Sequence, residues 1–544
     1  ALPVTVQSVL AARIDRLGPE DKRLLQSASV IGKDFTLPLL GEIAEVDADS
    51  LQRGLANLQA AEFIYATRLY PEAEYTFNHA LTQDVTYGGL VAERRQVLHA
   101  NIVAAIERLH ADRLAEHVDR LAYHAARGAI WEKAHAFGML AGRRASERSA
   151  NRAAVEAFET ALAALARLPE TPERMAENID LRFALRDALF VVNEHAAILP
   201  HLQHAETLAR QIGDRRRYVL AVLYMCGFYW QQGRLDEALE HGRTARRRAD
   251  EHGDRRLGAI ARYRLGPNLI GLGDYREAAA VLGESLAMLD NDGCRHLFRF
   301  GGLVFAFASS FRAWALAELG EFALAETVGV RGMKLAEEAQ QGYSISVASF
   351  GLAYTYLYRR HWAAAIAVLE RGMEQADVHG VSATVGWIAA KLAYAYAMTG
   401  RREDAMKMLD RAKHPGNLSA TPDAGVQVWI ADVYAMLGAA GEAAQWLARA
   451  LELARRGHER GSEAWALRLQ GEFALRDRRG DAAAACFGAA RDIAESLGMR
   501  PLVLHCHRGL AEAAGLAGHP AEAAAETAAA QTLGAELGIL EPTI

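Results

Sequence analysis

The sequence predicts an all-α fold, in which a long helical solenoid follows a small N-terminal domain that contains a β-hairpin. Three observations support this prediction. Helical segments recur about every 40 residues through the C-terminal part of the 544-residue chain. Glycine, present 46 times, far exceeds proline, present 13 times, which favours short helices joined by tight turns. The first 98 residues lack the repeat and place two short extended segments after three helical ones.

Length and composition bound the class of protein. A chain of 544 residues is too long for one hydrophobic core, so several domains or a repeat array are expected. The net charge of −6 gives no general electrostatic reason to bind nucleic acid. The apolar run from Gly301 to Leu319 is interrupted by Ser309, Ser310 and Arg312, so it predicts a buried helix and no membrane span.

Cysteine usage indicates a reducing compartment. The cysteines are scattered without a CxxC pair, at Cys226, Cys294, Cys486 and Cys506. They predict reduced thiols in a cytoplasmic protein, with no disulfide and no metal site. The chain begins at Ala1 without a signal peptide, so we expect it to be a piece of something longer.

The repeat is carried by small residues in the second helix of each predicted pair. The first small residue of each repeat is Ala238, Ala278, Ala325, Ala365, Ala405, Ala443, Ala482 or Ala523. Seven residues later come Ala245, Ser285, Gly332, Gly372, Ala412, Ala450, Ala489 and Ala530. Five residues before each first small residue is a turn position, held by Gly233, Gly273, Gly320, Arg360, Gly400, Gly438, Asp477 or Gly518. Small residues two turns apart let antiparallel helices approach closely.

The segments GRLDEALEHGRTA and GDYREAAAVLGES resemble the tetratricopeptide repeat at its glycine, its Glu-Ala pair and its second small position. The repeat length exceeds that family's usual value of about 34, which implies longer helices. We therefore predict a tetratricopeptide-like sensor domain at residues 216–544. Residues 99–215 are predicted to be a helical linker with irregular first repeats.

In a tetratricopeptide array, the first helix of each pair lines the concave surface. The residues predicted to line a ligand groove there are aromatic: Trp230, Phe307, Trp314, Phe350, Tyr354, Trp387 and Tyr394. Aromatic rings offer large apolar area at low entropic cost, so a protein, peptide or small-molecule stimulus would suit the groove. The alternative is that a tighter superhelix buries these rings as ordinary core.

The N-terminal residues 1–98 predict a winged-helix domain. Three helical segments read VTVQSVLAARIDRL, EDKRLLQSASVIG and DSLQRGLANLQAAE, and the extended segments FIYATRL and EYTFNHA form the hairpin. A DNA-reading domain of this shape needs a basic recognition helix, yet the third helix carries only Arg53. Direct nucleic-acid binding is therefore not expected.

The segment from Leu2 to Phe35, followed by FNHALTQDVTYGGLVAERRQVLHANIVAAIE, resembles the end of the ATPase module in bacterial STAND proteins. These signalling ATPases are related to AAA+ enzymes and are often fused to nucleotide cyclases or transcription regulators. The resemblance implies an absent upstream nucleotide-binding domain that holds ATP or ADP, with the winged helix packed against it. It also implies that His79 contacts the phosphates of ADP, although the aspartate that follows in many relatives is Ala80 here.

Two interpretations of His79 remain open from the sequence. It either senses phosphate at a helix start, or it packs under the hairpin or caps the helix that follows. The chain has no GxxxxGK[ST] loop and no recognisable catalytic motif, so no enzymatic activity and no bound cofactor are expected of it alone. The predicted function is the regulatory sensor region of a signal-transduction ATPase. A passive protein-assembly scaffold is the alternative, and self-association into a homo-oligomer is left open.

Overall fold

The computed structural model describes residues 4–70, 72–148, 150–192, 194–289, 302–414 and 424–539. Ala1, Cys294 and Gly301 therefore lie outside the described residues. The chain divides into two compact units, Ala1–Asp214 and Arg215–Ile544. None of the described helices combines the length and the apolar character that crossing a membrane requires.

The first unit is built mainly from helices. They are α1 (Val4–Asp15), α2 (Pro19–Ile31), α3 (Leu37–Ile43), α4 (Ala48–Ala60), α5 (Ala80–Gly88), α6 (Ala92–Leu109), α7 (Val118–Arg127), α8 (Trp131–Glu147), α9 (Asn151–Leu165), α10 (Pro172–Val191) and α11 (His195–Gln211), with a 3₁₀ turn at Leu114–His117. Its strands are β1 (Asp34–Thr36), β2 (Ile64–Arg68) and β3 (Glu74–Phe77).

The three strands form one antiparallel sheet in the order β1-β3-β2. Phe35 pairs with Tyr75, and Ile64 pairs with Phe77. The sequence predicted the β2–β3 hairpin but missed β1 and α3. A strand of three residues is too short to show an alternating pattern, and it forms because β3 offers it a hydrogen-bonding edge.

The sheet and the helices around it share one core. Leu25 of α2, Leu40 of α3 and Leu58 of α4 are fully buried, and Phe77 of β3 is 1% exposed. Helix α4 starts where the Asp47 side chain accepts the backbone N–H of Ser50, as an N-cap should. Helix α6 runs through position 98, where the sequence placed a domain boundary.

The second unit consists of eight helix pairs among its described residues. They are α12 (Arg215–Gln231), α13 (Leu235–His252), α14 (Arg255–Leu272), α15 (Tyr275–Met288), α16 (Val304–Glu318), α17 (Phe322–Glu338), α18 (Gly342–Tyr358), α19 (Trp362–Val378), α20 (Val385–Met398), α21 (Arg402–Lys413), α22 (Ala424–Met436), α23 (Ala440–Arg456), α24 (Arg460–Arg476), α25 (Gly480–Leu497), α26 (Arg500–Ala517) and α27 (Pro520–Leu537), with a 3₁₀ turn at Ser382–Thr384. Even-numbered helices are the first of each pair.

The small residues of the repeat lie where helices touch. A Cβ atom added to Gly332 would overlap Ser309, and one added to Gly372 would overlap Ser349. Gly320 ends α16 in the left-handed conformation, with φ of 79°. These contacts account for the small-residue spacing in physical terms.

One repeat is shifted by a residue from the sequence prediction. The left-handed turn residue before α25 is Arg478, with φ of 57°, and not Asp477. Correspondingly, Ala483 and Ala490 are fully buried, whereas Ala482 and Ala489 are not. A run of alanines from 482 to 485 fits either register, so only packing against α24 and α26 decides it.

The first helices of two consecutive pairs, α16 and α18, pack directly against each other. The Ser310 hydroxyl donates to the Val347 carbonyl at 2.5 Å and accepts the Gly351 N–H at 3.0 Å. A Cβ atom at Gly351 would overlap the Ser310 carbonyl group. Only glycine permits this approach, because the obstruction is backbone and cannot rotate away.

The second unit curves enough to bring sequence-distant helices together. Helix α14 contacts α24, and α16 contacts α26. His458 Nδ1 lies 3.1 Å from Asp236 Oδ2, between residues 222 positions apart. The first helices of the pairs therefore face a shared, narrow interior.

Replacing Gly351 by alanine tests the role of this helix contact. We expect the thermal unfolding midpoint to fall by several degrees, because overpacking against fixed backbone costs about 1–3 kcal/mol. Gly488→Ala is the matched control, since no atom lies within 4 Å of its added Cβ in α25. Alanine there should leave the midpoint unchanged or raise it. Equal effects of the two substitutions would contradict the proposed constraint.

Candidate ligand pocket

The interior of the second unit contains a pocket lined mainly by the first helices of six consecutive pairs, α16, α18, α20, α22, α24 and α26. Tyr275 of α15 and Trp362 of α19 also line it. It holds about 790 Å³ of space including its open mouth. Its ring-bearing lining residues are Tyr275, Trp314, Tyr354, Tyr358, Trp362, Tyr394, Trp429 and Trp465. An aromatic lining with a few convergent polar groups is typical of small-molecule sites.

The rings hold one another in fixed orientations. Trp314 and Tyr354 stack with centroids 4.9 Å apart and planes 7° from parallel. Tyr358 stacks on Trp465 at 5.4 Å. Tyr394 meets Trp429 edge to face at 4.7 Å. Such pairs are worth about 0.5–1.5 kcal/mol each beyond their burial, so the lining is preorganised.

A buried carboxylate, Glu318, opens onto this pocket. It is 2% exposed. Its Oε1 accepts hydrogen bonds from Trp314 Nε1 at 3.1 Å and from the Tyr358 hydroxyl at 2.7 Å. Its Oε2 accepts one from Trp465 Nε1 at 3.2 Å. Burial raises the pKa of Glu318, while these three hydrogen bonds and the positive charge of Lys391 oppose the rise.

Lys391 of α20 is itself enclosed by aromatic rings. It is 1% exposed. Its Nζ lies 4.5 Å from the ring centroids of Phe350 and Tyr354, and 5.5 Å from that of Trp429. The negative faces of these rings partly replace the water that an ammonium group loses on burial.

The far side of the pocket is polar. Arg468, 5% exposed, pairs with Asp432 at 2.6 Å and with Glu472 at 2.7 Å. His505 lies edge-on to Trp465, and burial together with the Arg468 charge lowers its pKa well below the ordinary value, so it is neutral at pH 7. Within the described parts of the chain, no group of three or more His, Cys, Asp or Glu side chains could hold a metal ion.

The seven residues predicted to line the groove lie in three different environments. Trp314, Tyr354 and Tyr394 line the pocket. Trp230 and Trp387 line a smaller adjoining pocket, which Trp314 also borders, and their ring centroids are 6.0 Å apart. Phe307 and Phe350, 5% and 1% exposed, line neither pocket.

Sequence reasoning missed the polar side of the pocket. Glu318 follows Trp314 by four residues, and Tyr358 follows Tyr354 by four, so each pair shares a helix face. That spacing could have indicated from the sequence that Glu318 and Tyr358 lie beside the predicted groove residues. Trp429 and Trp465 carried no such signal, because only the curvature of the second unit brings their helices to the same interior.

His79, the predicted phosphate-sensing residue, lies in the first unit at the start of α5. It is the residue just before the first helical turn, with φ of −136° and ψ of 135°. Its side chain is exposed and makes no capping hydrogen bond. The structure thus favours neither the packing nor the capping interpretation of this residue.

The far end of α5 is fixed by a chain of hydrogen bonds. The Tyr87 hydroxyl lies 3.0 Å from His99 Nε2, and His99 Nδ1 lies 2.8 Å from His124 Nδ1. Burial lowers the pKa of His99 to about 4 and that of His124 to about 3. Both rings are neutral at pH 7, so one Nδ1 donates and the other accepts, which ties α5 to α6 and α7.

Comparisons with known proteins support the repeat fold of the second unit. A tetratricopeptide repeat family model matches residues 218–291, which include most of α12 and all of α13, α14 and α15. The chain is 28% identical over 157 residues to an uncharacterized protein of Rhizobium meliloti (strain 1021). That match spans 29% of this chain and only 15% of the relative's length. The second unit is a tetratricopeptide-like helical solenoid.

Two solved structures show more distant overall likeness. One is a Signal Transduction ATPase with Numerous Domains protein with a tetratricopeptide repeat sensor, from Pyrococcus horikoshii. It is 11% identical at a TM-score of 0.31, over 98% of this chain and 66% of that one. The other is aspartyl phosphate phosphatase F from Bacillus subtilis, which is 12% identical at a TM-score of 0.42, over 73% of this chain and 95% of that one.

The Glu318→Gln substitution tests the buried carboxylate. Because burial raises its pKa above 4.5, the folded chain keeps this proton to higher pH than the unfolded chain does. The stabilisation it contributes is present below the unfolded pKa and is lost as pH rises through the folded pKa. We therefore expect the urea midpoint of the wild type to fall relative to that of the variant as the pH rises above about 4.5.

Glu442→Gln, at an exposed position of α23, is the charge-matched control for this measurement. A difference between wild type and Glu318→Gln that stays constant over the pH range would contradict the assignment.

Proposed function

We propose that this chain is the sensor region of a multidomain signal-transduction ATPase. In this proposal the solenoid binds a stimulus, and the N-terminal residues 1–98 relay it as a winged helix to a nucleotide-binding domain elsewhere in the protein. The observation that carries the proposal is the aromatic pocket inside the solenoid, with the buried Glu318 and Arg468 at its wall.

The pocket supports ligand sensing more than passive scaffolding. Scaffolds of this type present extended outer or concave surfaces, whereas this unit gathers rings from six repeats around one pocket. A small molecule or the end of a peptide would contact several repeats at once. Binding would therefore favour one curvature of the solenoid over others, which is the differential affinity that a switch requires.

The order of elements supports a winged helix in the first unit. Helix α2 is followed by β1, α3, α4, β2 and β3, and the sheet order β1-β3-β2 places the hairpin next to the first strand. Helix, strand, two helices and a hairpin are the parts of that domain. The proposed role is to pack against nucleotide-binding machinery and not against DNA.

The exposed His79 supports a role in nucleotide sensing. A helix start favours negative charge, and an imidazole next to it adds a donor that a phosphate oxygen can accept. In the proposed mechanism His79 contacts bound ADP only in the closed state of the intact protein. A stimulus in the solenoid would release that contact.

The decisive experiment compares switch and scaffold in the full-length protein. Light scattering should show that its assembly changes when ADP is exchanged for ATP, because the closed state is held by ADP. Partner binding that is indifferent to the nucleotide would favour the scaffold and count against the switch.

We expect this chain alone to bind ATP and ADP no better than millimolar and not to hydrolyse ATP. It has no phosphate-binding loop, so only His79 would meet a phosphate. Isothermal titration calorimetry with each nucleotide, with and without Mg²⁺, measures this directly. Micromolar binding would mean that the chain contains a nucleotide site of its own.

His79→Ala in the full-length protein should weaken ADP retention and raise basal output. Loss of one charge-assisted hydrogen bond corresponds to about 1–3 kcal/mol. Release of a fluorescent ADP analogue reports retention. Asp84→Ala, exposed on the same helix α5, is the matched control and should behave as wild type. Unchanged ADP release in His79→Ala, with the fold intact, would remove His79 from the mechanism.

A further inference from the structure

Glu318 is a buried acidic group at the wall of the pocket of the second unit. Every hydrogen bond that this carboxyl group accepts comes from an uncharged donor: two indole N–H groups and one tyrosine hydroxyl. An indole N–H can only donate, and one indole faces each oxygen. Both oxygens therefore act as acceptors, an arrangement that stabilises the carboxylate form of Glu318 against the effect of burial.

One acceptor position on Glu318 is left for a ligand. A carboxylate has about four lone-pair positions, and three hydrogen bonds occupy three of them. Oε1 receives two donors and Oε2 receives only Trp465 Nε1. Because Glu318 lines the pocket, a donor that carries positive charge would complete the set. Together with the positive charge of Lys391, it would offset the cost of burying the Glu318 charge.

The aromatic rings next to the pocket already surround one cation, the ammonium group of Lys391. Lys391 Nζ lies within 4.5 Å of two ring centroids in the same aromatic cluster. Tyr354 belongs both to that set and to the pocket lining, and it stacks on Trp314, which donates to Glu318. A flat ligand ring can extend this stacking, and its cationic group gains from the ring faces.

The other charged groups at the pocket could compete with Glu318 for a ligand. Arg468 is matched by Asp432 and Glu472, and His505 is neutral. Arg360 also lines the pocket. It is the group that would favour an acidic ligand, so an anionic probe must be part of the test.

We propose that the pocket binds a small aromatic molecule that carries a protonated amine, with its ring among Trp314, Tyr354 and Trp429 and its ammonium group on Glu318. This inference rests on the proposed function only in taking the pocket as the ligand site of the sensor.

Three probes that share one indole skeleton test the charge preference on the full 544-residue chain. They are tryptamine, which is cationic, tryptophol, which is neutral, and indole-3-acetate, which is anionic. Calorimetry at pH 7.5 should give tryptamine about tenfold or more tighter binding than tryptophol, with indole-3-acetate the weakest. Glu318→Gln should reduce the affinity for tryptamine to that for tryptophol, and Glu442→Gln should not.

The comparison among probes uses the wild-type chain, so it decides the proposal even if Glu318→Gln does not fold. Tighter binding of indole-3-acetate or tryptophol would overturn it, and so would the failure of all three to bind at millimolar concentration. Neither result tests the proposed sensor function. That function is tested separately, by nucleotide-dependent assembly of the full-length protein. Tryptamine binding without any nucleotide-dependent change would support the pocket and reject the switch.

Discussion

The second unit depends on how closely its first helices can approach one another. At the contact between α16 and α18, the Ser310 hydroxyl bridges the Val347 carbonyl and the Gly351 N–H of the neighbouring helix. This approach is possible because Gly351 has no Cβ. Similar small-residue contacts at Gly332 and Gly372 set the spacing within pairs. Short distances on the inner side make the solenoid curve tightly, so the inner faces of distant helices meet.

The pocket is a consequence of that curvature and carries an energetic cost. Charged groups buried in an aromatic interior lose their hydration, and replacing such groups with apolar residues of similar volume is often neutral or stabilising. Here each charge is compensated differently. Glu318 is held by neutral donors, Lys391 by ring faces and Arg468 by two carboxylates. Stability alone therefore does not account for this arrangement.

Much of the fold could be predicted from sequence, because it follows local rules. The helical period, the glycine turns and the small residues two turns apart depend on neighbours close in the chain. The prediction was wrong by one residue in the repeat that contains Ala490, because the run of alanines before it fits two registers equally well. Strand β1 was not predicted, because three residues are too few to form a pattern. The exposed position of His79 likewise depended on how α5 meets β3.

The sequence by itself determined that repeats exist, which helix of each pair bears the rings, and that no phosphate-binding loop is present. Only the tertiary structure decided which rings border open space and which become core. Trp314 and Phe350 belong to the same predicted set, yet one lines the pocket and the other is 1% exposed. It also decided that Glu318, Trp429, Trp465 and His505 share one site. The reason is geometric: small angles between successive helix pairs add up over many repeats, and no local pattern encodes their sum.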